Sequence, residues 1–128
     1  MTTPGRATPD DAELVAIERA YVDALVTHDA SSVSLHPDCT RIEFGLRTGR
    51  NGPHIARSLH HGPQFRVIHQ VSDFTAVVDG HTVATKYLVH VRPKLFRLAS
   101  AVSETSLIDD DGRIRTIKAR FGRPRRVG

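Results

Sequence analysis

The stretch "AVSETSLIDDDGRIRTIKARFG" (101–122) decides the fold, because it predicts two antiparallel β-strands joined by a tight turn. Small, hydroxyl-bearing and β-branched residues fill "AVSETSLI" (101–108), and "DDDG" (109–112) then reverses the chain. Glu104 lies in the middle of the first strand. Such an acid is either exposed to solvent or held in a pocket to do chemistry, and the two faces of the strand bear on that choice.

Alternation along this strand assigns its residues to two faces. The face that holds Glu104 is otherwise mainly apolar, with Val102, Ser106 and Ile108. The opposite face carries two hydroxyls among its four residues, which are Ala101, Ser103, Thr105 and Leu107. When one face of a strand is buried, the other faces solvent, and the face with two hydroxyls is the better candidate for the solvent-exposed face. We therefore expect the Glu104 side chain to point inward.

The segments before this hairpin predict helices first and strands later. "TPDD" (8–11) predicts a helix with Thr8 as its N-cap, and an apolar face recurs from Leu14 to about Thr27. A second helix is predicted in "RNGPHIARSLHHG" (50–62), which carries Pro53 near its start and ends at Gly62. The predicted strands are "CTRIEF" (39–44) and then "QFRVIHQ", "DFTAVV", "HTVATKYLVHV", "LASAVSETSLI" and "RIRTIKARF".

Helices followed by hairpins predict an α+β domain. We expect a curved antiparallel or mixed sheet wrapped around the N-terminal helices, which forms a cone with an internal pocket. The domain is predicted to span residues 8–122, with a flexible tail at 1–7 and a basic tail at 123–128. A chain of 128 residues is long enough for one such core.

Composition excludes several functional classes. The first residues lack the apolar segment of a secretory signal, and no apolar run is long enough to span a membrane, so a cytoplasmic protein without a membrane partner is predicted. The one cysteine, Cys39, cannot form an intramolecular disulfide. The eight histidines are scattered without an HExxH motif or paired cysteines, so neither a metal nor a cofactor is predicted.

The order of elements resembles the nuclear transport factor 2-like (cystatin-like cone) superfamily over roughly residues 12–122. That group includes Δ5-3-ketosteroid isomerases, SnoaL-like polyketide cyclases, scytalone dehydratase and limonene epoxide hydrolase. The local matches are sharpest to ketosteroid isomerase. They lie in a tyrosine-bearing helix, a first strand that ends in an acid and a last hairpin: "AYVDAL" (20–25), "PDCTRIEFG" (37–45) and "AVSETSLIDDDGRIRTIKARFG".

The resemblance implies three catalytic residues. It gives Tyr21 the role of the oxyanion-hole tyrosine, Glu43 that of the proton-shuttling base, and Glu104 that of a protonated oxyanion-hole acid. Both acids are glutamates where the family has aspartates. The division of roles suits the chemistry, since enolisation needs a base and donors to the developing negative oxygen. A carboxylic acid that stays neutral and donates a hydrogen bond in an apolar site is a known feature of ketosteroid isomerase, so the role of Glu104 is implied by that family.

The residues themselves leave two orientations open. Tyr21 on an apolar helix face is either a core residue or a catalytic one. In "TRIEF", alternation puts Arg41 and Glu43 on one face and Ile42 and Phe44 on the other. If Ile42 and Phe44 are buried, Glu43 is in solvent and cannot be the base. If Arg41 and Glu43 turn inward, they form a polar pair in the pocket.

Other interpretations use a different set of residues. His69 and His90 lie in predicted strands and could serve a dehydratase-like site, while Arg41 with Glu43 and Glu104 could imitate an epoxide hydrolase. The family pattern implies further pocket walls at Ile117, Ala119 and Phe121.

The expected partners are limited. The ligand is predicted to be small, and hydrophobic or carbonyl-bearing. The resemblance implies a homodimer packed through the outer sheet face. The basic segments 86–97 and 120–128 are predicted to be solvated loops or anion contacts, and they carry little aromatic interleaving for nucleic acid. The protein is therefore an isomerase or lyase, or else a non-catalytic binder or dimerisation module.

Overall fold

The computed structural model describes residues 7–127 of the chain. The flexible tail predicted for residues 1–7 therefore lies, except for residue 7, outside the described residues, as does the last residue of the predicted basic tail. Within the described part of that tail, residues 125 and 126 form a short strand against the main sheet.

Three helices lie on one side of the chain's sheet: α1 (Asp11–Thr27), α2 (Gly52–His61) and the single turn α3 (Pro63–Arg66). The helix α1 packs its apolar residues against the core, while α2 buries Ile55 and Leu59. Gly62 caps α2, as predicted. These helices cover the inner face of the sheet, so the core lies between the two layers.

The sheet has seven strands: β1 (Leu35–Glu43), β2 (Leu46–Gly49), β3 (Ile68–Asp79), β4 (Thr82–Val91), β5 (Leu98–Ile108), β6 (Ile114–Phe121) and β7 (Arg125–Arg126). Its order is β2-β1-β6-β5-β4-β3, with β7 paired to β5. The β1–β6 pair is parallel and the others are antiparallel, so the sheet is mixed. The predicted α+β class with a curved mixed sheet is confirmed.

Three local predictions are wrong. The N-cap of α1 is Asp10 and not Thr8, because the Asp10 carboxylate accepts the Glu13 N–H at 2.8 Å while Glu13 accepts the Asp10 N–H. The strand β1 begins four residues before 39 and ends before Phe44, whose φ of 50° leaves the extended region. Residues 63–66 form α3 rather than a strand, because Pro63 opens a helical turn.

The helices are also too short or too polar to cross a bilayer. The longest, α1, has 17 residues. Within residues 7–127, none of the helices combines the length and the apolar character that spanning a membrane requires.

Candidate functional site

One cross-strand row on the inner face of the sheet contains both acids of interest. Glu104 on β5 pairs with Thr85 on β4 and with Ala119 on β6, and Ala119 pairs in turn with Glu43 on β1. Neighbouring strands lie about 4.8 Å apart, so the two glutamates start from backbone positions roughly 10 Å apart. Ala119, with its small side chain, lies between them.

The strand β1 turns Arg41 and Glu43 inward. Arg41 Nη1 lies 3.4 Å from Glu43 Oε1, and both side chains are largely enclosed. Phe44 is exposed, and Ile42 lies on the outer face of the sheet. The alternative in which Ile42 and Phe44 fill the pocket is therefore wrong, because a left-handed φ at Phe44 ends the strand and sends its ring outward.

A cavity of about 180 Å³ opens in front of this pair. Its walls are mostly apolar, and the charged groups among them are Arg41 and Glu43. The guanidinium of Arg41 lies 4.7 Å from the centre of the Phe65 ring, which fixes its plane against one wall. The lining residues come from every layer of the fold: Leu25, Arg41, Glu43, Gln64, Phe65, Ile68, Tyr87, Val89, Val91, Ser100, Val102 and Phe121.

Glu104 points inward, as its strand face predicts, and is 2% exposed. Its partner is Tyr87 of β4, whose hydroxyl donates to Glu104 Oε1 at 3.2 Å. Because Tyr87 also lines the cavity, its phenol connects Glu104 to the ligand space. The sequence interpretation missed Tyr87, although the alternation of Val83, Thr85, Tyr87 and Val89 places it on the inner face.

Glu18 of α1 is a second buried acid that the sequence interpretation missed. It is fully enclosed and faces Glu104. Neither of its oxygens makes a hydrogen bond of ordinary geometry within residues 7–127, yet the two carboxyls approach closely enough to affect each other's protonation. The sequence did contain a signal for this residue. Glu18 lies four residues after Leu14 and three before Tyr21, on the apolar face of a helix.

The two carboxyls are biased toward holding a proton. Burial, followed by the charge of Glu104, raises the pKa of Glu18 well above its ordinary value. Burial also raises the pKa of Glu104, but hydrogen bonds from Glu18 and Tyr87 and the charge of Arg41 pull it back. Both carboxyls therefore hold a proton to a higher pH than an exposed glutamate does. We call Glu18, Glu104 and the adjacent Ser106 the buried carboxyl cluster.

Tyr21 is completely buried on α1 and does not line the cavity. Its hydroxyl has no hydrogen-bond partner among the described residues, and burial raises its pKa far above the ordinary value. It does not bond to Glu104, whose phenolic partner is Tyr87. The structure thus places Glu43, Arg41 and Tyr87 on the cavity lining, with Glu104 bonded to the Tyr87 hydroxyl behind it, and Tyr21 does not reach the lining.

The predicted apolar walls take three different positions. Phe121 lines the cavity and is half-exposed, and its ring meets that of Phe44 edge to face at 5.1 Å. Ile117 is buried in the core and does not reach the cavity lining. Ala119 is buried between Glu43 and Glu104.

His69 and His90 lie away from the cavity. On β4, alternation with the cavity residues Val89 and Val91 puts His90 on the outer face, where its Nε2 lies 2.7 Å from Ser72 Oγ. The His69 ring lies 6.3 Å from that of His90. Partial desolvation and the neighbouring cations Lys94 and Arg92 lower the pKa of His69. A dehydratase-like site built on these two histidines is not assembled in this geometry.

The remaining chemistry of the cavity comes from its acid, its cation and its phenol. Residues 7–127 contain no cluster of three histidine, cysteine, aspartate or glutamate side chains that could hold a metal ion. Cys39 is buried, and burial raises the pKa of its thiol to about 12, so it is a poor nucleophile at neutral pH. One acid lies beside a cation, and a phenol is backed by buried carboxyls. The arrangement can accept a proton at one wall and donate a hydrogen bond at another.

Comparison with known proteins gives one family match. A family model described as "Domain of unknown function (DUF8021)" matches residues 8–121. No curated protein matches the chain.

Solved structures with similar backbones include several kinds of protein. A steroid delta-isomerase from Pseudomonas aeruginosa is 19% identical, with a TM-score of 0.64 over 91% of this chain and 85% of that one. An LEH-like epoxide hydrolase from Mycobacterium tuberculosis is 24% identical, with a TM-score of 0.67 over 89% and 86%. An NTF2-like protein of unknown function from Cytophaga hutchinsonii is 14% identical, with a TM-score of 0.61 over 85% and 89%. At these identities the likeness establishes the fold, which is nuclear transport factor 2-like.

Proposed function

The chain belongs to the DUF8021 family, whose function is unknown, and we propose that it removes a proton next to the carbonyl group of a small ligand. The observation that carries this proposal is that Glu43 lines the same small, mostly apolar cavity as Tyr87. A base and a donor facing one space are what enolisation requires. Return of the proton to another carbon would make an isomerase, and loss of a leaving group would make a lyase.

Glu43 is the base in this proposal. Its carboxylate is held in place by Arg41, and its side chain, 16% exposed, remains accessible from the cavity. The carboxylate takes the α-proton, and the bonding electrons move onto the carbonyl oxygen as an enolate. The enolate then takes the proton back from Glu43 at another carbon.

Tyr87 is the donor to the enolate oxygen, a role that the sequence interpretation gave to Tyr21. The Tyr87 hydroxyl donates to Glu104. When the proton of the buried carboxyl cluster lies on Glu104, that carboxyl can donate to Tyr87 instead, and the phenol O–H is released toward the ligand. Glu104 thus keeps a part in the oxyanion site, acting through Tyr87.

The experiment is exchange of α-protons for deuterium in D2O, followed by proton NMR on a panel of small ketones and oxo acids. Glu43→Gln should slow exchange by at least about 100-fold, since a positioned base typically contributes roughly 10²–10⁴. Glu13→Gln is the matched control, because Glu13 lies at the start of α1 and glutamine still completes its capping box. Equal exchange by wild type and Glu43→Gln would exclude Glu43 as the base.

Binding without turnover is the second candidate function. The observation that favours it is the Arg41–Glu43 contact, because it engages the carboxylate that the enzyme would use as its base. A ligand that raises the melting temperature of wild type without any exchange of its protons would support the binder and count against the enzyme.

A homodimer through the outer sheet face is also part of the proposal. That face carries exposed Val77 and Leu107, which a second copy could cover. Lys118 and Arg120 lie on the same face, so added salt should strengthen association by screening their repulsion. Light scattering over a range of protein and salt concentrations tests this, and a monomer under all of them would overturn it.

A further inference from the structure

Arg41 has hydrogen-bonding capacity that the protein does not use. The residue is only 8% exposed, yet its side chain makes no hydrogen bond within residues 7–127, and its Nε is buried without a partner. Its ion-pair contact with Glu43 spans 3.4 Å. That distance is longer than the roughly 2.7–2.9 Å of a charge-assisted hydrogen bond. Buried charged groups normally have all their hydrogen-bond donors paired. The unpaired donors of the Arg41 guanidinium are therefore available to a ligand.

The surroundings of Arg41 fix the geometry of those donors. The guanidinium packs on the Phe65 ring, and Arg41 itself lines the cavity. Guanidinium is a planar fork that matches the two oxygens of a carboxylate, whereas a neutral carbonyl fills only one position. An arginine prepared in this way favours an anionic group over a neutral one.

The size of the cavity limits the ligand. At about 180 Å³ it is only slightly larger than a cavity of roughly 150 Å³ that holds benzene. Drug-sized ligands occupy roughly 300–1,000 Å³. The space therefore fits a short chain or a single ring, and a four-ring steroid is too large for it.

We propose that the ligand is a small oxo carboxylate whose carboxylate binds Arg41 while its keto group faces Tyr87. This inference rests on the proposed function, because it names the substrate class of the same cavity. It makes Arg41 the residue that selects the substrate, distinct from Glu43, which takes the proton.

Charge supports an anionic ligand in two ways. The chain carries a formal charge of +4, and the exposed Arg66 and Arg92 adjoin the cavity residues Phe65 and Val91, so the surface attracts anions. A ligand carboxylate on Arg41 also competes with Glu43 for the cation. Glu43 then gives up part of its contact with Arg41, and its carboxylate is free to face the ligand.

The test measures binding of matched acid and ester pairs by calorimetry. Pyruvate, levulinate and phenylpyruvate are compared with their methyl esters on wild type, Arg41→Lys and Arg120→Lys. Arg120 is an exposed arginine on the outer face and serves as the matched control. A steroid ketone is added as the size control.

We expect at least one acid to bind wild type at least tenfold more tightly than its ester. Arg41→Lys should reduce that preference to less than threefold, because lysine keeps the charge and loses the fork, and Arg120→Lys should preserve it. The steroid ketone should not bind. Esters that bind as tightly as acids, no binding by any acid, or an acid preference that survives in Arg41→Lys would each overturn the inference. If Arg41→Lys fails to fold, the acid and ester comparison on wild type decides alone.

Proton exchange on the same panel separates this inference from the proposed function. An acid preference that depends on Arg41, without exchange, would leave the carboxylate site standing and overturn only the enzyme. If α-protons of ketones or esters exchanged as fast as those of the acids, the proposed proton removal would stand and the proposed carboxylate site on Arg41 would be overturned.

Discussion

Glu104 and Glu43 lie in one cross-strand row with Ala119 between them, yet their surroundings are opposite. Glu104 is enclosed with Glu18 and receives a hydrogen bond from Tyr87, whereas Glu43 faces the open cavity beside Arg41. The same residue type at the same level of the sheet thus serves in two electrostatic environments. The difference comes from what packs on each strand: the acid-bearing helix α1 at one end of the row and an arginine two residues away at the other.

The largest expected effect is on how the free energy of unfolding depends on pH, and it comes from the buried pair Glu18 and Glu104. Because burial raises the folded pKa of Glu18 and Glu104 above 4.5, the folded state holds protons that the unfolded state has lost. The stability from these groups is complete below pH 4.5 and falls as pH rises toward the folded pKa. The slope is about 1.4 kcal/mol per pH unit for each retained proton. Glu18→Gln should flatten this slope in urea unfolding between about pH 5 and pH 8.

The control for that measurement is Glu13→Gln, whose carboxyl lies at the exposed start of α1. It should keep the wild-type slope. A wild-type protein whose stability rises steadily over that pH range, or a slope as steep in Glu18→Gln as in wild type, would contradict a protonated buried carboxyl cluster.

The next effect breaks the link between the two regions. Tyr87→Phe removes the hydroxyl that connects Glu104 to the cavity, and α-proton exchange should fall on the order of 100-fold, as for loss of one oxyanion donor. Proton NMR in D2O measures the rate. Tyr21→Phe is the matched control, because Tyr21 does not line the cavity, and its loss of rate should be far smaller. If Tyr21→Phe slowed exchange more than Tyr87→Phe, Tyr21 and not Tyr87 would be the oxyanion donor.

The smallest effect tests the spacing between the two acids. Ala119→Val adds two methyl carbons between Glu43 and Glu104, and overpacking of this kind costs about 1–3 kcal/mol. The free energy of unfolding in urea should fall by about that amount. Ala101→Val, on the exposed outer face of β5, is the control and should change stability little. Equal effects of the two substitutions would mean that the row is not tightly packed.

The class of the fold and the inward face of Glu104 could both be predicted from the sequence. Alternation in 101–108 works because its two faces differ in hydroxyl content, so local composition decides the orientation. In "TRIEF" the face with Ile42 and Phe44 is the ordinary candidate for burial, yet Arg41 and Glu43 turn inward, and the pairing of β1 with β6 sets that orientation. That pairing is parallel and distant along the chain, so no local pattern encodes it.

The positions of Tyr87 and Glu18 in the site depend even more on tertiary contacts. Tyr87 reaches Glu104 diagonally across β4 and β5, in a register that the hairpins set. Glu18 was visible as an acid on an apolar helix face, but its partner lies on a strand far along the sequence. The pairing of Glu18 with Glu104 can be predicted only when the packing of α1 against the sheet is known.

Burial raises the pKa of both acids in the buried carboxyl cluster, which lies behind a cavity whose wall is a charged pair. Carbon-13 NMR of glutamate side chains, in a chain with only four glutamates, tests this most directly. The carboxyl signal that disappears in Glu18→Gln should titrate well above the ordinary glutamate value, because burial disfavours the charged form. A Glu18 signal that titrates near 4.5, the ordinary value, would contradict a retained proton.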